Sequence, residues 1–281
     1  MSTKQDRKLG IVAGGGGLPA RLVAACRNSG RPCFVLALKG HAEPSAVDGV
    51  DHAWIRMGRA AEGFRLLRRA GVADVVLAGP VHRPSMSELR PDWRTAVFYA
   101  RLGLKALGDD GLLSAVIAEI EAEGFRVVGA HSILGDLLAE PGVWGRRSPD
   151  AQAWSDIRRG IEVALGLGGL DVGQAAVVQQ GIVLGVEAVE GTDSLLRRCG
   201  ELRRAGAGGV LVKMAKPGQE RRVDLPTIGV ATVRNAAAAG LCGIAVEAGS
   251  TLVMDRDGLV AAADAAGLFL CGVDANEARR C

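Results

Sequence analysis

Short apolar runs alternate with amphipathic stretches along the first half of the chain. Residues 9–13 are apolar and run into Gly14-Gly-Gly-Gly17. A helical pattern over 20–28 follows, with Pro19 at its start and Gly30 at its end, the places where a helix favours proline and glycine. Residues 33–38, 50–55 and 74–79 read as further strands, and 60–70 as a helix closed by Gly71. A clear amphipathic helix covers 112–123, with Leu113, Val116, Ile117 and Ile120 on one face, and 125–130 reads as a strand. Strands and helices alternating at this spacing predict a Rossmann-like α/β domain over 1–135, with a mostly parallel sheet between helices.

The texture changes after His131. Residues 140–149 are rich in Pro, Gly and charge, and 136–149 read as a linker to a second domain over 150–281. That domain opens on a helix over 150–167. Strands at 175–179 and 182–187 are separated by Gln180-Gly181, a two-residue hairpin signal. Helices over 192–204, 232–239 and 257–266 alternate with strands at 209–213, 243–247, 251–254 and 268–273. A hairpin followed by crossovers predicts a mixed sheet with flanking helices. The fold class is α/β, in two α/β domains.

Composition removes several alternatives. Hydrophobic residues make up 48% of the 281 and charged ones 23%, enough for packed cores and too apolar for bulk disorder. Aromatics are 4% and the net charge is +3, without a basic arm, so no nucleic acid is expected as a partner. The six cysteines form no Cys-x-x-Cys pair, which reads as free thiols in a reducing cytosol. The polar N-terminus does not read as a signal peptide, and no run reaches the roughly 20 apolar residues of a spanning helix. A cytoplasmic protein is expected.

The segment from Lys213 to Gly229 carries the strongest chemical signal. Lys213, Lys216, Arg221 and Arg222 surround one acid, Asp224, just before Leu225-Pro226. Pro217 and Gly218 interrupt any helix there, and Pro226 pushes Leu225 toward an extended shape. Cations can hold a phosphate ester or anhydride while a fixed carboxylate holds a metal or aims a water; a solvated basic loop is the plainer alternative. Gly14, Gly15 and Gly16 lie between a strand and a helix, where amides can receive a phosphate or simply make a tight turn. His82 and Arg83 follow the end of a predicted strand, and could touch a ligand or lie in an ordinary turn. Asp109 and Asp110 precede a helix, as metal ligands or as a cap. Glu190, Thr192 and Asp193 crowd a strand terminus, either capping the next helix or contacting a ligand. There is no Gly-x-Ser-x-Gly elbow, so direct attack by water is expected rather than a covalent intermediate.

These segments together resemble the UDP-2,3-diacylglucosamine pyrophosphatase family of lipid A biosynthesis, of the α-proteobacterial type. The resemblance covers nearly the whole chain. It rests on residues 9–19, Gly108-Asp-Asp110, Glu123-Gly-Phe125, Gly129-Ala-His131, Asp171-Val-Gly-Gln174, 186–193 and 216–231, of which the last two are long and specific. It implies a Mg²⁺-dependent hydrolase that splits UDP-2,3-diacylglucosamine into UMP and 2,3-diacylglucosamine 1-phosphate, lipid X. It also implies substrate bound between two α/β domains, a homodimer, and peripheral contact with the cytoplasmic face of the inner membrane. The family's essential acid falls on Asp224, which is expected to be catalytic and, with Asp109 and Asp110, to hold the metal. Substrate contacts are expected from Gln174 and Thr227 within these motifs, and from Lys213 and Lys216 at the diphosphate. Gly218 and Arg221 depart from the family's loop. Two other readings stay open: a nucleotide-sugar-binding protein without chemistry, and a dehydrogenase. The dehydrogenase is disfavoured because residues 33–38 end in Lys39, where an acid would hold a ribose.

Overall fold

The computed structural model describes residues 7–81, 91–102, 109–218 and 220–274. The chain forms two compact units. The first comprises residues 1–136 with 220–223, and the second residues 137–219 with 224–281.

In the first unit, strands β1 (Leu9–Ala13), β2 (Cys33–Leu38), β3 (His52–Ile55), β4 (Asp74–Ala78) and β5 (Arg126–Val127) form one sheet in the order β3-β2-β1-β4-β5. All of its pairings are parallel. The unbroken apolar runs at β1, β2 and β4 suit strands buried on both faces. Helices α1 (Leu18–Ser29), α2 (Ala60–Arg69), α3 (Trp93–Leu102) and α4 (Asp109–Ala122) supply the cover. One core joins Phe34, Leu36 and Val75 of the sheet to Phe64 and Leu67 of α2 and to Ile117 and Ile120 of α4. Val223 packs against the same core.

The second unit has a six-stranded sheet in the order β6-β13-β11-β9-β7-β8. Its strands are β6 (Gly142–Trp144), β7 (Ala175–Gln179), β8 (Ile182–Val186), β9 (Val210–Lys213), β11 (Gly243–Glu247) and β13 (Phe269–Val273). The β9, β11 and β13 strands are mutually parallel, whereas β6, β7 and β8 are antiparallel to their neighbours. A small parallel pair, β10 (Thr227–Ile228) with β12 (Leu252–Val253), stands apart. Gln180 and Gly181 both take positive φ, 54° and 78°, the conformation a two-residue hairpin turn demands.

Helix α5 (Ala151–Gly169) is capped by Asp150, whose carboxylate accepts the Ala153 amide at 2.8 Å. It lays Ala153, Ile157, Ile161 and Ala164 on one face of this sheet, a spacing of four, four and three that keeps one stripe inward. Helices α6 (Gly191–Glu201), α7 (Val230–Ala238) and α8 (Arg256–Ala266) contribute to a core with Val177, Leu211, Ile244 and Leu270. The expected architecture of two α/β domains, one with a parallel sheet and one with a mixed sheet, is the one observed. Within the Pro- and Gly-rich stretch 140–149, Val143 and Trp144 pair with Cys271 and Leu270 as β6. A three-residue edge strand carries too little periodicity to stand out from turn residues.

Candidate functional site

Parallel β9 and β11 end on one edge of the second unit's sheet, at Lys213 and Glu247, with Val246 opposite Lys213. Antiparallel β7 begins there, with Ala175 opposite Lys213, and β8 returns to the same edge at Val186. Residues 174, 187, 213 and 247 are therefore neighbours although the chain separates them widely.

Lys213 is only 6% exposed. Its Nζ donates to Thr192 Oγ1 at 2.9 Å and to the Thr227 carbonyl at 3.3 Å. Thr192 Oγ1 donates in turn to Glu187 Oε1 at 2.5 Å, and Glu187 Oε2 accepts the Gln174 amide at 3.3 Å. Burial pulls the Lys213 pKa down, while the charges of Glu187, Asp193 and Asp224 oppose that pull. This is the expected contest for a buried amine, since low polarity disfavours the ammonium and nearby carboxylates favour it. The surrounding backbone is pinned as well. Met214 N donates to the Gln174 carbonyl at 2.9 Å, and Ala215 N to Glu247 Oε2 at 2.9 Å.

Asp224 lies half-buried beside this ammonium, and among the described residues no hydrogen bond or ion pair engages its carboxylate. The Pro226 carbonyl accepts Leu252 N at 2.7 Å, which fixes the chain just after Asp224. Asp193 accepts Asn235 Nδ2 of α7 at 2.8 Å. The Gln174 side-chain oxygen is buried and has no hydrogen-bond partner among the described residues. Such an arrangement can receive an anion at Lys213 and hold a water or a cation at Asp224.

In the first unit the loop after β1 is a backbone structure. Gly14 N donates to the Ala78 carbonyl at 2.8 Å, and Gly15 N to that of Pro80 at 2.9 Å. These bonds tie the loop to the last residue of β4 and to the segment just after it. Gly79 takes a φ of +88°, and a Cβ there would lie 2.0 Å from the Gly15 carbonyl oxygen. Only glycine fits so close a crossing.

Two family models match the chain, the LpxI N-terminal domain over residues 8–137 and the LpxI C-terminal domain over residues 140–271. UDP-2,3-diacylglucosamine pyrophosphatase LpxI of Caulobacter vibrioides is 47% identical over 278 residues, with 96% of this chain and 99% of that protein covered. The chain belongs to the LpxI family.

The structure of this LpxI-family chain brings Gln174, Thr192, Asp193, Lys213, Asp224 and Thr227 to one sheet edge. Thr227 takes part through its carbonyl, and its hydroxyl donates to the Leu225 carbonyl at 3.3 Å. Glu190 turns elsewhere, into an ion pair with Arg198 at 2.8 Å. Lys216 pairs with Asp171 at 2.7 Å. The α6 helix begins at Gly191 with Glu190 as its N-cap residue, so Thr192 and Asp193 sit in its first turn. His82 and Arg83 lie outside the described residues, as do the side chains of Asp109 and Asp110, whose backbone opens α4.

Glu187, Glu247 and Asn235 were not singled out in the sequence. Glu187 and Glu247 each end an apolar run as a single acid, Asn235 lies inside α7 beside Arg234, and the importance of all three comes from partners 5 to 42 positions away. For Glu187, the one local signal is an acid directly after an apolar strand, five residues before a threonine.

Among the described residues, no group of three or more His, Cys, Asp or Glu is arranged to hold a metal ion. Magnesium ordinarily binds through one or two carboxylates together with substrate phosphates and water. The unengaged carboxylate of Asp224 fits that shared mode of binding, and a dedicated protein cage does not fit.

Proposed function

We propose that this protein hydrolyses the pyrophosphate bond of UDP-2,3-diacylglucosamine, giving UMP and 2,3-diacylglucosamine 1-phosphate in lipid A biosynthesis. The observation that carries this reading is the pairing of a buried ammonium, Lys213, with an unengaged carboxylate, Asp224, at one sheet edge of a chain from this family. Lys213 binds a phosphate oxygen and stabilises the charge that grows there as the bridging bond breaks. Asp224 accepts a hydrogen bond from the attacking water and aims its oxygen at phosphorus. The water oxygen forms the new P–O bond and gives up a proton to solvent, the bridging P–O bond breaks with its electron pair staying on the departing phosphate oxygen, and each product leaves with one phosphate. A magnesium ion shared by Asp224 and the diphosphate would neutralise charge on the phosphate oxygens. Hydrogen bonds at Thr192, Thr227 and Gln174 keep Lys213 and its strand in place without a covalent intermediate.

Acting on a substrate with two acyl chains, the enzyme would work as a peripheral protein at the cytoplasmic face of the inner membrane, and the family resemblance implies a homodimer. No helix among the described residues is long and apolar enough to cross a membrane. Incubation of purified protein with the lipid substrate and Mg²⁺ in oxygen-18 water tests the reading directly. One labelled phosphate product is expected, its identity naming the attacked phosphorus, and chelator is expected to stop turnover until Mg²⁺ is restored. Intact substrate with Mg²⁺ present would refute the hydrolysis, and full turnover in chelator would refute the metal.

A further inference from the structure

Glu187 follows β8 at the sheet edge that carries Lys213, and its carboxylate is engaged by Thr192 and Gln174. It is 6% exposed, and a buried carboxylate is stable only when its oxygens are satisfied. Both are: Oε1 by the Thr192 hydroxyl at 2.5 Å and Oε2 by the Gln174 amide at 3.3 Å. Gly173 lies directly over it, where an added Cβ would come within 2.0 Å of the Glu187 carbonyl oxygen, so the backbone around Glu187 is fixed.

The direction of the hydrogen bonds then follows. A carboxylate only accepts, so Thr192 must spend its single O–H on Glu187. Thr192 Oγ1 is left as an acceptor, and it takes an N–H from Lys213 at 2.9 Å. The Thr227 carbonyl takes a second at 3.3 Å. An ammonium has three N–H groups, so one has no partner among the described residues, on a side chain that is almost wholly buried.

We propose that Glu187 is a positioning residue of this site. By holding the Thr192 hydroxyl as a donor, it fixes the rotation of the Lys213 ammonium and aims its remaining N–H at the phosphate. This rests on the pyrophosphatase reading for its substrate. Glu187 acts through Thr192 and Lys213 and not on the ligand, so it governs how well the cation meets the developing charge more than how tightly substrate binds.

Steady-state kinetics of Glu187→Gln, Thr192→Val, Thr192→Ser and the double variant Glu187→Gln/Thr192→Val test it. Thr192→Val removes the link at nearly constant shape, and kcat is expected to fall about 30-fold with KM within about threefold, the pattern of a lost transition-state contact. Glu187→Gln keeps one acceptor but turns its NH2 toward the Gln174 amide, and about a tenfold fall in kcat is expected. Because Glu187 acts through Thr192, the double variant should be no worse than Thr192→Val to within about twofold. Thr192→Ser, which keeps the hydroxyl, should retain activity to within about threefold.

Multiplying effects in the double variant, or losses confined to KM, would overturn the positioning role. A second measurement needs no turnover. In ligand-free protein with carbon-13-labelled lysine, the Lys213 εCH2 resonance, assigned with Lys213→Arg, should shift in both Glu187→Gln and Thr192→Val. An unmoved resonance would overturn the role as well. Failure of the unaltered protein to hydrolyse the lipid would sink the pyrophosphatase reading alone, because the resonance still decides the role of Glu187.

Discussion

The two units place polar groups at the carboxyl edge of a sheet by different means. In the first, the loop after β1 owes its shape to the backbone, with Gly14 and Gly15 bonded to the Ala78 and Pro80 carbonyls and Gly79 crossing close beneath. In the second, side chains do the work, as Lys213, Thr192 and Glu187 form a chain of hydrogen bonds at 2.9 and 2.5 Å. A backbone loop depends on whether a Cβ fits. A side-chain network depends on charge and on donor direction. Substitutions in the first region should therefore act on stability, and substitutions in the second on chemistry.

The largest expected effect falls in the second region. Asp224→Ala should lower kcat at least about a hundredfold, the scale for a group acting mainly in the transition state, while UDP-2,3-diacylglucosamine still binds. Thermal unfolding should barely change, since no hydrogen bond or ion pair among the described residues engages the Asp224 carboxylate. Calorimetric titration beside a turnover assay separates these outcomes. Turnover near that of the unaltered protein would remove Asp224 from the chemistry and blur the contrast between the regions.

The reverse pattern is expected at Gly79→Ala. The new Cβ would sit at a φ of +88° and 2.0 Å from the Gly15 carbonyl oxygen. Such strain costs on the order of 1–3 kcal/mol, so the protein should lose about 2 kcal/mol or more of stability in a denaturant titration. Ala78→Gly, one residue earlier in a strand with a normal backbone, serves as a control and should cost about 1 kcal/mol or less. Equal losses at the two positions would deny that the close crossing constrains the loop.

The same contrast explains what could be read from the sequence. The glycine loop, the Gln180-Gly181 turn and the alternation of β1, α1 and β2 are local patterns, and each follows from a few adjacent residues. Lys213 and Thr192 were legible as chemistry-bearing residues at strand and helix ends. Their direct hydrogen bond, and its extension through Thr192 to Glu187, was not, because it requires antiparallel β7 and β8 to return Gln174 and Glu187 to the edge where β9 ends. That strand order is a property of the sheet and leaves no trace in residue spacing. Glu190, one residue before the helix that carries Thr192, illustrates the converse: it looked equivalent in sequence but faces Arg198. The short strands β6 and β10 are also too brief for a period of two to show, whereas β12 falls within the strand expected at 251–254.

The subtlest prediction concerns pH. Burial lowers the Lys213 pKa below the ordinary lysine value, with Glu187, Asp193 and Asp224 holding it back. Turnover needs the ammonium, so kcat/KM should fall as pH rises through this lowered pKa, before ordinary lysines titrate. Arginine keeps its charge across that range. Lys213→Arg should therefore have lower kcat/KM overall, because a guanidinium fork cannot repeat the ammonium's bonds to Thr192 and Thr227, but it should lack the alkaline limb. Stability should follow with a definite sign. Between the lowered folded pKa and the ordinary unfolded one, the unfolded chain binds more protons, so the unaltered protein should gain stability with rising pH relative to Lys213→Arg. An alkaline limb that persists unchanged in Lys213→Arg would assign it to another group, and Lys213 would then join the first region's glycines as a residue of structure.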